Sequence, residues 1–126
     1  MKILVVDDSR IMRNIVKNTV ISHRDLRDSE FMEASDGVTA LDILHTNAID
    51  LLLLDWNMPR LNGIELVREL RCSEQFARLP IIMITSEAAK YNVIEAVKTG
   101  VSDYIIKPVS EKALLEKIRR VMPELI

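Results

Sequence analysis

Residues 51–59 read LLLLDWNMP. The four leucines from Leu51 to Leu54 form a continuous apolar run with no polar alternation, short enough for a strand and apolar on both sides. Such runs belong in parallel sheets covered on both faces. The run stops at Asp55, the chain breaks at Met58 and Pro59, and an amphipathic stretch from Ile64 to Leu70 has helical spacing. One strand, one acidic rim residue and one helix are legible in this segment.

The same unit recurs in both directions along the chain. Upstream, Ile3 to Val6 precedes a helical pattern from Ile11 to Ile21, and Phe31 to Ala34 precedes one from Val38 to Leu44. Downstream, Ile81 to Ile84 is followed by Tyr91 to Val97, and Tyr104 to Ile106 by Leu114 to Val121. Five strand-helix units predict an α/β fold, a doubly wound five-stranded parallel sheet with five helices. Breakers fall between the units: Asp36 and Gly37 before the second helix, Gly100 after the fourth, Pro108 before the fifth. A single domain over residues 1–126 is expected, with no output domain, because little sequence follows the fifth helix.

Composition narrows the function. The 126 residues carry a formal net charge of −2, with no basic stripe to neutralise nucleic-acid phosphates. Cys72 is the single cysteine, which fits a reducing, cytoplasmic setting and argues against a zinc site. No apolar run approaches the roughly 18 residues of a membrane span, and the strand-like start at Met1 to Val6 is not a secretion signal. Without a long heptad or a broad apolar stripe, a monomer is expected.

In open parallel sheets, ligands bind beyond the carboxyl ends of the strands. The residues leaving those ends are Asp7 and Asp8, Asp55, Thr85 and Ser86, and Lys107. Any one of them could be a solvated loop residue, and Ser86, Asp36 and Ser110 are ordinary helix-cap types. Three carboxylates on one rim repel, and either a raised pKa or a bound divalent cation relieves them. Oxygen ligands favour magnesium, with manganese as the alternative, over zinc. The set also contains the parts of phosphoryl transfer. Asp55 is a carboxylate nucleophile, Asp8 and Asp55 are metal ligands, Lys107 offers positive charge, and Thr85 offers a hydroxyl.

The segments Asp7 to Arg10, Asp55 to Pro59 with Asn62 and Gly63, Thr85 to Ala88, and Tyr104 to Pro108 together resemble the receiver domains of two-component response regulators. The resemblance covers essentially the whole chain and is nearest to the chemotaxis members. It implies a flavodoxin-like strand order, 2-1-3-4-5. It also implies that Asp55 accepts a phosphoryl group from a sensor histidine kinase and, by self-phosphorylation, from small acyl phosphates, so that the protein is a phosphoacceptor and not a conventional enzyme. Asp8 and Asp55 would ligate magnesium, Asp7 would reach it through water, and the carbonyl of Asn57 would complete the protein's share. Lys107 and Thr85 would contact the phosphoryl group, and the bond from Lys107 to Pro108 would be cis.

By the same resemblance, Thr85 and Tyr104 form a switch that reshapes the surface of the fourth helix, fifth strand and fifth helix, here Lys90 to Val97, Val101 to Ile105 and Lys112 to Arg119. From the residues alone, Tyr104 reads as a core or half-buried aromatic. Asn57 and Glu87 would tune self-dephosphorylation toward rapid loss. A flagellar motor switch component is the expected downstream partner. Asn62, Ser86 and Val109 depart from common family residues without removing a functional part. His23 and His45 read as surface residues and Arg119 with Arg120 as a solvated helical face.

Three rivals deserve comparison. A phosphorelay intermediate, passing its phosphoryl group to another histidine protein, would use the same site. A haloacid-dehalogenase-type magnesium phosphatase needs a second Asp two residues after the nucleophile, where this chain has Asn57. A flavin carrier of similar fold needs a phosphate cradle, and the acidic turn at Asp7 and Asp8 would repel it.

Overall fold

The computed structural model describes residues 1–123. Five strands, β1 (Lys2–Val6), β2 (Glu30–Ala34), β3 (Leu51–Leu54), β4 (Ile81–Thr85) and β5 (Asp103–Ile106), alternate with five helices: α1 (Arg10–Ile21), α2 (Gly37–Thr46), α3 (Gly63–Arg71), α4 (Lys90–Thr99) and α5 (Glu111–Val121). All strand pairs are parallel, in the order β2-β1-β3-β4-β5, so the expected topology is observed.

The continuous apolar runs are explained by two cores, one on each face of the sheet. Successive strand side chains point to opposite faces. Leu4, Val6, Leu52, Leu54, Ile81 and Met83 pack with α2, α3 and α4, while Ile3, Val5, Leu51, Leu53, Ile82 and Ile84 pack with α1 and α5. Leu51 to Leu54 are essentially inaccessible, and each such side chain contributes roughly 2 kcal/mol by its removal from water.

Helix starts are set by side-chain caps at the polar residues that precede them. Ser9, Asp36, Asn62 and Ser110 each accept the backbone N–H three residues on, and Asn62 with Glu65 completes a reciprocal capping box. Asn62 therefore performs the capping that an Asp would perform there. Gly100 ends α4 with φ 125°, a conformation that suits glycine. Two short 3₁₀ turns, Arg24–Leu26 and Glu74–Phe76, were not legible in the apolar periodicity. His23 is half-buried and caps the first of them through Nδ1, while His45 is exposed, with its ring edge-on to Phe76.

This topology fixes where chemistry can occur. Chain direction across the sheet reverses between β1 and β3, which opens a crevice at their carboxyl ends. Asp7, Asp8 and Asp55 emerge there.

Candidate functional site

The strand ends bring the acidic residues together. One carboxylate oxygen each from Asp7, Asp8 and Asp55 lies within 4.8 Å of the others. Asp7 and Asp55 are buried and Asp8 is exposed, so the cluster has a closed floor and an open mouth. Lys107, arriving from the end of β5, spans the floor: its Nζ donates to Asp7 Oδ2 at 3.0 Å and to Asp55 Oδ2 at 3.1 Å. The peptide bond from Lys107 to Pro108 is cis, as the resemblance implied.

Each buried carboxylate is also held by backbone. Ser9 N–H donates to Asp7 Oδ1 at 2.9 Å, and Trp56 N–H donates to Asp55 Oδ1 at 2.7 Å. Burial raises the pKa of Asp7, and the Ser9 N–H and Lys107 only partly offset it. Burial likewise works against the charge on Lys107, but its hydrogen bonds to Asp7 and Asp55 prevail and hold its pKa above the ordinary value. The repulsion foreseen from sequence is thus answered within the protein by one ammonium against three carboxylates. Net negative charge remains, and an all-oxygen cluster of this size with an exposed mouth fits a hard divalent cation.

Thr85, at the end of β4, is fully buried and its Oγ1 accepts Glu87 N–H at 3.3 Å. The Glu87 side chain joins two elements, accepting Asn57 Nδ2 at 2.8 Å and Asn92 Nδ2 at 3.4 Å. Asn57 and Glu87, paired in the expectation from sequence, therefore touch. Tyr104 is packed inward, 9% exposed, and its hydroxyl donates to the Glu87 carbonyl at 2.6 Å. Thr85 and Tyr104 thus meet at the same bend, on the N–H and C=O of one residue.

Part of the surface implied by resemblance is in fact interior. Val101, just before β5, is buried in one core, and Tyr104 and Ile105 are buried because β5 contributes to both, so the apolar residue that this strand exposes is Ile106. The exposed apolar groups of α4 are Tyr91, Ile94 and Val97. Arg120 is largely exposed, as expected for a solvated face, yet reaches Asp103 Oδ2 at 3.5 Å beside Lys117 at 3.0 Å to Oδ1.

Several contributors were missed by sequence reasoning. The Arg13 guanidinium donates to the Asp7 carbonyl at 2.7 Å and to Glu33 at 2.9 Å, so α1 braces the chain at the acidic pair. Arg60 joins Asp36 and Thr39. Neither arginine has a periodicity or motif signal that would have marked it.

Residues 3–119 match the response regulator receiver domain family. The chain belongs to that family. This receiver is 46% identical over 121 residues to the chemotaxis protein CheY of Pseudomonas aeruginosa, covering 96% of this chain and 95% of that one. It is equally 46% identical over 123 residues to the chemotaxis protein CheY1 of Helicobacter pylori, with 97% of each chain covered. Among solved structures, the Vibrio cholerae chemotaxis protein CheY4 superimposes with a TM-score of 0.85 at 31% identity, covering 96% of the receiver and 98% of that chain. The receiver domain of the sensor histidine kinase PA1611 from Pseudomonas aeruginosa, solved with magnesium in its active-site cleft, gives a TM-score of 0.84 at 25% identity over 97% of both chains. Among the described residues, no helix is long and apolar enough to cross a membrane.

Proposed function

We propose that this receiver is a phosphoacceptor that takes a phosphoryl group from the phosphohistidine of a sensor histidine kinase onto Asp55. The observation that carries this reading is the grip of Lys107 on Asp7 and Asp55 at once, with Asp8 completing the acidic cluster. In the reaction, a carboxylate oxygen of Asp55 forms the new bond to phosphorus. The phosphorus–nitrogen bond breaks, and the leaving imidazole keeps its electron pair and takes a proton from solvent. Lys107 already stands beside Asp55 and neutralises charge on the equatorial oxygens; the Thr85 hydroxyl is available to one of them.

Asp8, Asp55 and the carbonyl of Asn57 would hold magnesium, or manganese in its place, with Asp7 contributing through water. When bound, the cation supplies further neutralisation of the transferring group's charge. Loss of the phosphoryl group is self-catalysed. Asn57 and Glu87, in contact with each other at the rim, orient the attacking water and make the lifetime short.

Signalling follows from the bend that Thr85 and Tyr104 share. Recruitment of Thr85 toward the phosphoryl group pulls on Glu87, whose carbonyl anchors the Tyr104 hydroxyl, and so shifts α4 relative to β5 and α5. The exposed Tyr91, Ile94, Val97 and Ile106 give that surface an apolar patch for a downstream protein. The names of the relatives support a chemotaxis role; the target in this reading is a flagellar motor switch component.

Trp56, the only tryptophan, adjoins Asp55 and reports on the site. Its fluorescence is expected to change with magnesium, to change again with acetyl phosphate, and to return as the donor is exhausted; Asp55→Asn removes the second change. A folded protein with neither response refutes the reading. A phosphorylated form persisting for hours would instead favour a phosphorelay intermediate.

A further inference from the structure

We infer that Arg60 and Asp36, the latter remote in sequence from Asp55, are positioning residues that fix the loop between Asp55 and Gly63 and thereby set how tightly the site holds its cation. The inference rests on the magnesium-dependent reading above.

The chain leaving β3 is folded back on itself. Gly63 N–H donates to the Trp56 carbonyl at 2.8 Å, and a Cβ at Gly63 would stand 2.3 Å from the Asp55 carbonyl oxygen. Between these ends, Leu61 N–H donates to the Pro59 carbonyl at 2.8 Å across Arg60, whose φ is 68°. A three-residue turn with positive φ at its centre is the strained form of the γ-turn, and Arg60 has a Cβ to make it worse. Such a conformation persists only where neighbouring structure over-determines it.

The N-terminus of α2 does this. Gly37 N–H donates to the Leu61 carbonyl at 3.1 Å, and a side chain at Gly37 would collide with that carbonyl. One residue earlier, Asp36 receives Arg60 Nη2 on both carboxylate oxygens, at 2.9 and 3.0 Å, while the same nitrogen donates to Thr39 Oγ1 at 2.9 Å. Asp36 is itself immobilised by Thr39, through the backbone N–H at 2.8 Å and the hydroxyl at 3.1 Å. Arg60 is more than half exposed, so solvent screens the pair and its worth to global stability is small. Its worth lies in placement. Three residues upstream of Arg60 is Asn57, whose carbonyl belongs to the proposed ligand set, and four upstream is Trp56.

Arg60→Gly separates placement from stability, because glycine relieves the positive φ while deleting the clamp. The expected result is an unchanged or raised Tm together with a magnesium Kd, read from Trp56 fluorescence, about ten-fold weaker. Arg60→Lys keeps the charge and a multiple-donor nitrogen on a shorter side chain and should fall between the two. Asp36→Asn keeps the helix cap and should shift Kd in the same direction as Arg60→Gly. A second readout needs no metal: amide hydrogen exchange at Leu61 and Gly63 should accelerate in Arg60→Gly. Magnesium affinities within two-fold of wild type and unchanged exchange would overturn the inference. A wild-type protein silent to magnesium overturns the underlying reading and the affinity half with it, and the exchange comparison then decides the positioning half alone.

Discussion

Tyr104 is the residue whose chemistry its surroundings alter most visibly. Burial, reinforced by the charges of Glu87 and Asp55, pushes its hydroxyl pKa up to about 12 from an ordinary value near 10. The folded protein therefore keeps this proton in a range where the unfolded chain has lost it. Stability contributed by the neutral phenol is complete below pH 10 and falls as pH rises from there toward about 12. An ultraviolet titration should show a late phenolate absent from Tyr104→Phe, and the alkaline loss of stability should be smaller in that variant. The sequence placed Tyr104 on the last strand and left core and switch roles open. The bond to the Glu87 carbonyl was beyond it, because that acceptor depends on how the chain bends after β4. Lys107 was legible as a rim cation expected to meet a phosphoryl group; its contacts to Asp7, 100 residues away, and to Asp55 were not foreseen. Nor was Arg60, since nothing about an arginine after a proline announces a γ-turn.

At the scale of elements, Arg71 shows what periodicity leaves out. It closes α3 and sends its guanidinium to three carbonyls: Gly100 at 2.9 Å, Phe76 at 2.7 Å and Leu79 at 2.8 Å. One side chain thereby ties the end of α3 to the 3₁₀ turn, to the approach of β4 and to the end of α4. Arg71→Ala leaves those carbonyls without this partner and should cost about 2 kcal/mol in urea unfolding. Arg71→Lys should recover little of it, because an ammonium cannot reproduce the planar fork. Strands and helices were legible from apolar spacing and polar caps, which are local. The 3₁₀ turns and Arg71 contacts are set by where the surrounding helices end, which is tertiary information.

For the molecule as a whole, the acidic cluster is a standing electrostatic cost that a cation relieves. Magnesium binding only to the folded state should stabilise it by about 2.7 kcal/mol at a hundred times Kd, which for a chain of this size raises Tm by roughly 10 °C. Calorimetry with and without a chelator checks this. Asp8→Asn, which removes the exposed carboxylate and leaves both Lys107 contacts in place, should shrink the shift. The doubly wound topology was readable because five similar units admit few arrangements, and that topology by itself puts Asp7, Asp8 and Asp55 at one crevice.

β5 is an edge strand, paired on one side with β4, and its consecutive residues Tyr104 and Ile105 belong to opposite cores. It is therefore held by a single ladder and nonetheless has a lever arm in each half of the protein. A small slide of this strand would be broadcast to two audiences at once, α4 across one face and α5 across the other, so that fluorophores placed separately on those helices should register the same event with the same time course.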